Sequence, residues 1–362
     1  MAAATVCVLV GGISPAAGQQ CIRVESEPPS ATLAVRNGTS ISKGSPADFC
    51  TLQPGFQYGL TVSRKGYEKR TLKFHFSDFG QPPKFSGVWQ WMVFRSVVLP
   101  GWGQASMGYK ARTFETAALL ITDGFKVYQV WKHYDRTNTR YNAAVVLAET
   151  AESQEELERW TAVAHKLARD TNAYRKSVWL TAGLGAWVYL RNVLETYLLS
   201  APPKATRLEG SDFKVAIPRR TTTRAVMRSL FFPGLGQQYA GHGGRAFIFH
   251  TGVFVLSLFT IDAKLRYDLA QVNYDLAIEA YNKANSVDEK QALVLDIALL
   301  KDGVEKRKDE MYAFAASTGL LWLTNVLEAL ASGGGGDVRD DRFEITSSYY
   351  DSTVRSGVLI RF

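Results

Sequence analysis

The residues best placed to do chemistry in this chain occur twice. Arg95, Gln104 and Glu195 have counterparts in Arg228, Gln237 and Glu328. The first set lies in Arg95-Ser-Val-Val-Leu-Pro100-Gly101-Trp-Gly103-Gln104 and Asn192-Val-Leu-Glu195. The second lies in Arg228-Ser-Leu-Phe-Phe-Pro233-Gly234-Leu-Gly236-Gln237 and Asn325-Val-Leu-Glu328. Val93 falls on Val226 and Asn192 on Asn325, a shift of 133 in both cases, and the same shift carries Tyr134 to Tyr267, Tyr141 to Tyr274 and Ser153 to Ser286. Roughly a hundred residues therefore read as a tandem duplication without a net gap. The chemistry open to such residues is ionic. An Arg beside a Glu at a helix end makes an ion pair that anchors the helix and fixes hairpin register. The same residues in a discontinuous element, repeated in two halves, are also what carriers use to bind ions.

Other chemistries find no constellation. His75, His133, His165, His242 and His250 lack zinc-ligand spacing, and neither a Gly-x-Ser-x-Gly nor a Walker element occurs. The Pro-Gly-x-Gly-Gln element is not followed by the Lys-Ser/Thr that phosphate binding needs. The expectation is a protein that is not an enzyme and takes no cofactor or metal. Its net charge of +8 comes from Lys and Arg spread along the chain, with no compact basic run, so nucleic acid is not an expected partner. Basic residues around apolar helices fit anionic lipid headgroups instead.

Each repeat has one internal order. Pro100 or Pro233 breaks a helix, and the glycines that follow permit a sharp turn. An apolar helix comes next, over Phe114–Trp131 or Ala246–Ile261, then a polar stretch, then a second apolar helix over Val178–Leu199 or Met311–Leu330. Residues 77–200 and 226–333 thus read as two long helical hairpins, joined by a linker over 201–225. A span needs about 20 mostly apolar residues. Glu115, Asp123 and Lys126 interrupt the first of these helices, so that face must turn to its neighbours rather than to lipid. Trp131, Trp179, Trp187, Tyr189, Tyr197 and Trp322 suit interfacial belts. Membrane-embedded hairpins are the leading reading, and the buried helices of a soluble core are the alternative.

The polar arms carry their own signals. Leu265, Leu269, Val272 and Leu276 run outward, and Leu293, Ile297, Leu300 and Val304 return with the same 4-3-4 spacing, a two-helix coiled-coil seam. Ser153-Gln-Glu-Glu156 and Ser286-Val-Asp-Glu289 are capping boxes that locate both turns. Tyr267, Tyr274 and Tyr281, seven apart, form a stripe that either packs one hairpin on the other or docks a partner.

The ends of the chain are β-like or processed. Residues 1–18 pair an apolar stretch with small residues before Gln19 and read as a signal peptide, although no basic residue precedes them. Residues 19–76 alternate as strands with turn signals at Asn37-Gly38 and Pro54-Gly55. In an exported chain Cys21 and Cys50 are disulfide candidates, the alternative being two buried thiols. The glycines 333–336 read as a flexible linker, and 334–362 as a β tail, with Phe343, Ile345, Val358, Ile360 and Phe362 alternating about a turn near Asp351. The fold class is α+β: a small β-sandwich, two tandem membrane-associated helical hairpins and a short C-terminal β-hairpin.

Two resemblances follow from these residues. Val24-x-Ser26-x-Pro28, Ala31-x-Leu33-x-Val35-x-Asn37-Gly38, Leu52-x-Pro54-Gly55-x-x-Tyr58 and Gly66-Tyr67 make the first domain similar to the PEGA domain, whose naming tetrapeptide is degraded here to Pro28-Pro29-Ser30-Ala31. That resemblance implies an extracytoplasmic interaction module that binds an envelope protein or a cell-wall component. The repeat resembles the bacterial membrane family called domain of unknown function 5683 through its Pro-Gly-x-Gly-Gln and Asn-Val-Leu-Glu elements. That implies a multi-helix envelope protein with membrane lipid as partner. The expected function is structural or interaction scaffolding, with a channel or carrier built from the duplicated hairpins as the alternative, and four spans would enclose a pathway only in an oligomer. The signal-like start and the cysteine pair place the β domain outside the cytoplasm. Both hairpins then lie inside, in an inner-membrane protein, or alternatively one associated with the outer membrane.

Overall fold

The computed structural model describes residues 21–37, 39–77, 84–85, 89–107, 109–200, 204–208, 212–333, 343–350 and 353–360. The signal-peptide reading of 1–18, the turn residue Gly38, the run Gly334–Gly336 and the terminal Phe362 lie outside the described residues. The elements run β1 (Ile22–Glu27), β2 (Thr32–Asn37), β3 (Thr39–Gly44), β4 (Ala47–Phe49), β5 (Phe56–Ser63), β6 (Arg70–Phe76), β7 (Lys84–Phe85), α1 (Trp89–Val98), α2 (Trp102–Ser106), α3 (Lys110–Glu149) and α4 (Gln154–Ser200). They continue as β8 (Lys204–Arg207), β9 (Phe213–Ala216), α5 (Thr222–Phe231), α6 (Leu235–Ala240), α7 (Gly243–Lys283), α8 (Val287–Ser332), β10 (Phe343–Tyr350) and β11 (Thr353–Ile360). The class is α+β, with two compact units, residues 1–88 with 202–219 and residues 89–201 with 220–362.

The first unit holds two sheets, in the orders β4-β1-β9-β8 and β3-β2-β5-β6-β7. Alternation makes the core: Ile22 and Val24 from one sheet meet Leu33, Val35, Leu60, Val62 and Phe74 from the other, all buried. Cys21 and Cys50 are disulfide-bonded, next to the antiparallel pair Ile22 and Phe49. Two boundaries read from sequence need correction. Residues 201–225 are not a plain linker, because β9 pairs in parallel with β1, Val24 opposite Phe213, and carries β8 beside it. Phe213, Val215 and Ile217 alternate into the same core, and their burial holds the strand. At the other end β7 pairs with β6, so the helical unit begins at Trp89 rather than at 77.

In the second unit the element boundaries repeat. Moving α1 by 133 residues gives α5 at both ends, and the same move brings Lys110, the start of α3, to Gly243, the start of α7. Helix α3 pairs with α4, and α7 with α8, as two long antiparallel hairpins. Both turns sit where the caps predict. The Ser153 hydroxyl accepts from the Glu156 backbone N–H at 3.2 Å, and Ser286 with Glu289 forms a complete capping box.

On the returning arm Leu293, Ile297 and Leu300 are half-buried and Val304 is buried, while most residues between them are exposed. The 4-3-4 seam is therefore present, but it is not only a two-helix seam. Leu265 and Leu269 also pack on Val130, Ala173, Tyr174 and Val178 of the first hairpin. Strands β10 and β11 form a two-stranded sheet of their own, with Phe343 opposite Ile360 and Ile345 opposite Val358.

Helices α7 and α8 are long and apolar enough to cross a membrane, yet only 28% and 11% of their most apolar windows are buried. Apolar side chains stand in the open on the other helices too: Phe114 is 77% exposed, Ile121 72% and Trp179 73%. They lie within the helix segments named above as apolar. A soluble fold buries such residues, whereas a bilayer covers them from outside.

Candidate functional site

Several of the recurring polar residues meet at a broken helix, once in each hairpin. Helix α1 ends at Val98 and α2 starts at Trp102, because Pro100 has no N–H to continue the ladder and Gly101 takes a left-handed φ of 88°. In the second copy Gly234, at φ 83°, does the same between α5 and α6. A helix break leaves backbone donors and acceptors unpaired, and where they are buried they need partners within the protein.

An asparagine from the second long helix fills that role. Asn192 Oδ1 accepts from Gly101 N at 3.1 Å, and its Nδ2 donates to Ser96 O at 3.4 Å. Asn325 Oδ1 accepts from Gly234 N at 2.8 Å, and its Nδ2 donates to Ser229 O at 3.0 Å. The side-chain amide thus acts as a substitute peptide group across the break, which explains asparagine: an aspartate carries no donor and a leucine carries neither group. Glutamine closes the link from the other side. Gln104 Nε2 donates to Asn192 O at 3.4 Å, and Gln237 Nε2 to Asn325 O at 2.6 Å. Ser96, Gln104, Asn192, Ser229, Gln237 and Asn325 are all fully enclosed.

Gly103 and Gly236 are needed for closeness. A Cβ on either would lie within 2.4 Å and 2.2 Å of the backbone carbonyls of Met92 and Ala225. The Tyr189 hydroxyl and the Trp322 indole N–H complete each lock by donating to Val97 O and Leu230 O.

The ion pair expected of the repeat forms with a different cation. Arg95 donates to Ser106 Oγ at 3.0 Å and lies over the rings of Trp91 and Trp102, and Arg228 lies over Tyr239 at 4.1 Å. The glutamates are met by Arg112, 2.9 Å from Glu195, and by Arg245, 2.6 Å from Glu328. Sequence reasoning passed over this pair because it lies beyond the conspicuous motif, although the shift of 133 carries Arg112 onto Arg245.

Around Glu195 the copies diverge. Its carboxylate also takes Gln238 and lies 3.4 Å from Arg191, with both charged side chains almost fully buried. Glu115 binds His250 at 2.7 Å, also buried. Trp187 stacks on Phe232 and leans on His250, and Leu119, Val188 and Phe254 form the apolar contact between the hairpins. Further along, Lys126 pairs with Asp262 and Arg169 with Glu279. These pairs join the first hairpin to the second, and none was singled out in sequence as a site.

The docking candidates Tyr267, Tyr274 and Tyr281 are half-buried, and Lys290 sits over the Tyr281 ring at 5.8 Å. Nearby, a cleft of about 720 Å³ opens between the arms of α4 and α7, lined by Leu157, Thr161, His165, Leu276, Glu279 and Lys283 among others. Among the described residues no group of three His, Cys, Asp or Glu is arranged to hold a metal ion. What the site can do with these contacts is mechanical: it fixes a broken helix to a long one, twice, and binds the two results together.

Residues 218–333 match the model of a family described as a family of unknown function, DUF5683. No curated protein and no solved structure matches the chain.

Proposed function

We propose that this chain is a membrane-embedded scaffold of a bacterial envelope, in which residues 89–200 and 222–332 are two tandem copies of the DUF5683 unit. The observation that carries the reading is the paired lock. Five side chains or backbone groups in each copy make the same hydrogen bonds at a shift of 133, although the family match covers the second copy alone. Retaining a rigid, internally satisfied unit in both halves is what a structural element needs. The apolar side chains left open on the long helices give that unit lipid as its solvent.

The β unit supplies the interaction surface in this proposal. Its PEGA-like strands and the Cys21–Cys50 bridge suit an oxidising, extracytoplasmic setting, where the partner would be an envelope protein or a cell-wall component. Strands β8 and β9 return the chain, after the first hairpin, to the β unit it left, through the sheet that holds β1. In this proposal the first hairpin crosses an even number of times, the second repeats it, and both polar arms lie on the cytoplasmic side of an inner membrane.

Extraction tests the reading. The full chain expressed in a bacterium should stay with membranes in alkaline carbonate and dissolve in detergent, and release by carbonate alone would contradict it. A carrier remains the second reading, supported by the buried ionic groups Arg112, Arg191 and Glu195 where the two hairpins meet. Protein-dependent ion flux in liposomes would favour it over the scaffold.

A further inference from the structure

Asp123 on α3 is the one member of the buried ionic set left out of the pairing just described. Its side chain is 5% exposed, Oδ1 is enclosed, and no hydrogen bond or ion pair reaches the carboxylate among the described residues. The group points at α4. A Cβ placed on Gly185 would lie 2.1 Å from Oδ2, so the carboxylate occupies the space that a side chain at 185 would fill. Ser177 and Thr181 precede Gly185 on the same face at four-residue spacing. Both are buried, and the Ser177 hydroxyl is likewise enclosed without a partner.

The neighbouring charges are spoken for. On α3 itself Glu115 is bound to His250, and Lys126 to Asp262. On α4 Arg191 and Glu195 face each other and Arg112. From α7 the groups that face this region are the same His250 and Asp262. An ionised carboxylate in hydrocarbon without a counter-ion is among the least tolerated arrangements in a membrane, and the un-ionised acid removes the charge while keeping one donor for a nearby oxygen. A divalent metal would need further carboxylates, and no three-member acidic or histidine cluster exists among the described residues.

We propose that Asp123, seated in the space left open by Gly185 of α4, is a proton-binding site within the apolar layer that belongs to the first hairpin alone. The second copy has Leu256 in place of Asp123 and Phe314 in place of Thr181 at the shifted positions, so it lacks the acid altogether. This inference rests on the membrane embedding proposed above, and not on the envelope partner or the scaffold role.

A hydrophobic carbodiimide, which adds to un-ionised carboxylic acids, tests it on the full chain in liposomes, with the modified residue located by mass spectrometry. Asp123 should be the intramembrane carboxyl modified, and the yield should fall as pH rises. Asp123→Asn should abolish the modification. Stability in detergent gives a second reading: the wild type should weaken as pH rises, while Asp123→Asn, which mimics the protonated acid, should lose that dependence and stay folded. Absence of modification at any pH would overturn the proposal. So would protection by sodium ions at fixed pH, which would make this a site for a monovalent cation, or a stability profile of Asp123→Asn that still tracks pH like the wild type.

Discussion

The two hairpins share their internal fastening and differ in everything that fastens them to each other. In the first copy the short helix α2 buries only Gly103 and Gln104, whereas all six residues of α6 in the second are buried. At the junction of the hairpins Glu195 of α4 reaches Gln238 of α6, while Tyr239 packs on Ala225 and Ala329 and Ala240 O accepts from Arg220. At the shift of 133 the junction residues change character: Glu115 becomes Ile248, Lys126 becomes Phe259, Trp187 becomes Leu320 and Arg191 becomes Thr324. Ile248, Phe259 and Leu320 are exposed. Residues kept in both hairpins therefore build the unit, and residues found in one hairpin choose which of its faces meets the other and which is left open. Polar pairs are retained where another helix can satisfy them and replaced by apolar side chains where none can.

The comparison breaks most visibly at the two glutamates. Glu195→Ala strands Arg112 and the buried Arg191, and removing one partner of a buried ion pair costs roughly 3–5 kcal/mol. Glu328→Ala removes only the partner of Arg245, which is 58% exposed, and exposed pairs are worth at most about 1 kcal/mol. Detergent unfolding of the two variants should differ accordingly, and equal losses would deny the asymmetry of the junction.

The locks should behave in the opposite way. Asn192→Asp and Asn325→Asp each remove the donor to Ser96 O or Ser229 O and leave a buried carbonyl unpaired, at a cost of about 1–3 kcal/mol. The two losses should be similar, because the geometry is the same, and a silent variant in either copy would show that its lock is not needed.

What the sequence made legible follows the same division. The residues of the locks stood out because Asn192, Gln104 and Gly103 recur with their neighbours, though the amide bonding across the break did not, and the hairpin tips were readable because a capping box needs only four residues. Strand β9 was missed since Phe213, Val215 and Ile217 make a short alternation within a basic stretch, and only burial against the other sheet gives it shape. The junction was invisible to repeat comparison for a physical reason: Glu115, Lys126 and Arg191 act by differing from their shifted counterparts. Glu115 and Lys126 announced themselves only as charges interrupting an apolar helix, and Arg191 did not stand out at all.

A smaller effect concerns the arms. The hydrogen bond from Arg169 holds Glu279 below its ordinary value of 4.5. A carboxylate lowered in the folded state contributes stability above its unfolded pKa and loses it as pH falls through the folded value. Acidification below about 4.5 should therefore speed hydrogen exchange where the arms of α4 and α7 meet, and added salt should act in the same direction on this exposed pair. Arg169→Gln should remove the pH response locally and leave exchange in the locks unchanged.

The central claim is that one membrane-crossing unit is used twice with one orientation. It is tested most directly by single cysteines at Ser153 and Ser286, the two hairpin tips, in a chain whose β-domain bridge is intact. A membrane-impermeant thiol reagent should label neither position in intact cells and both after permeabilisation. Labelling of one tip without the other would contradict a shared topology, and labelling of both in intact cells would contradict the cytoplasmic placement of the arms.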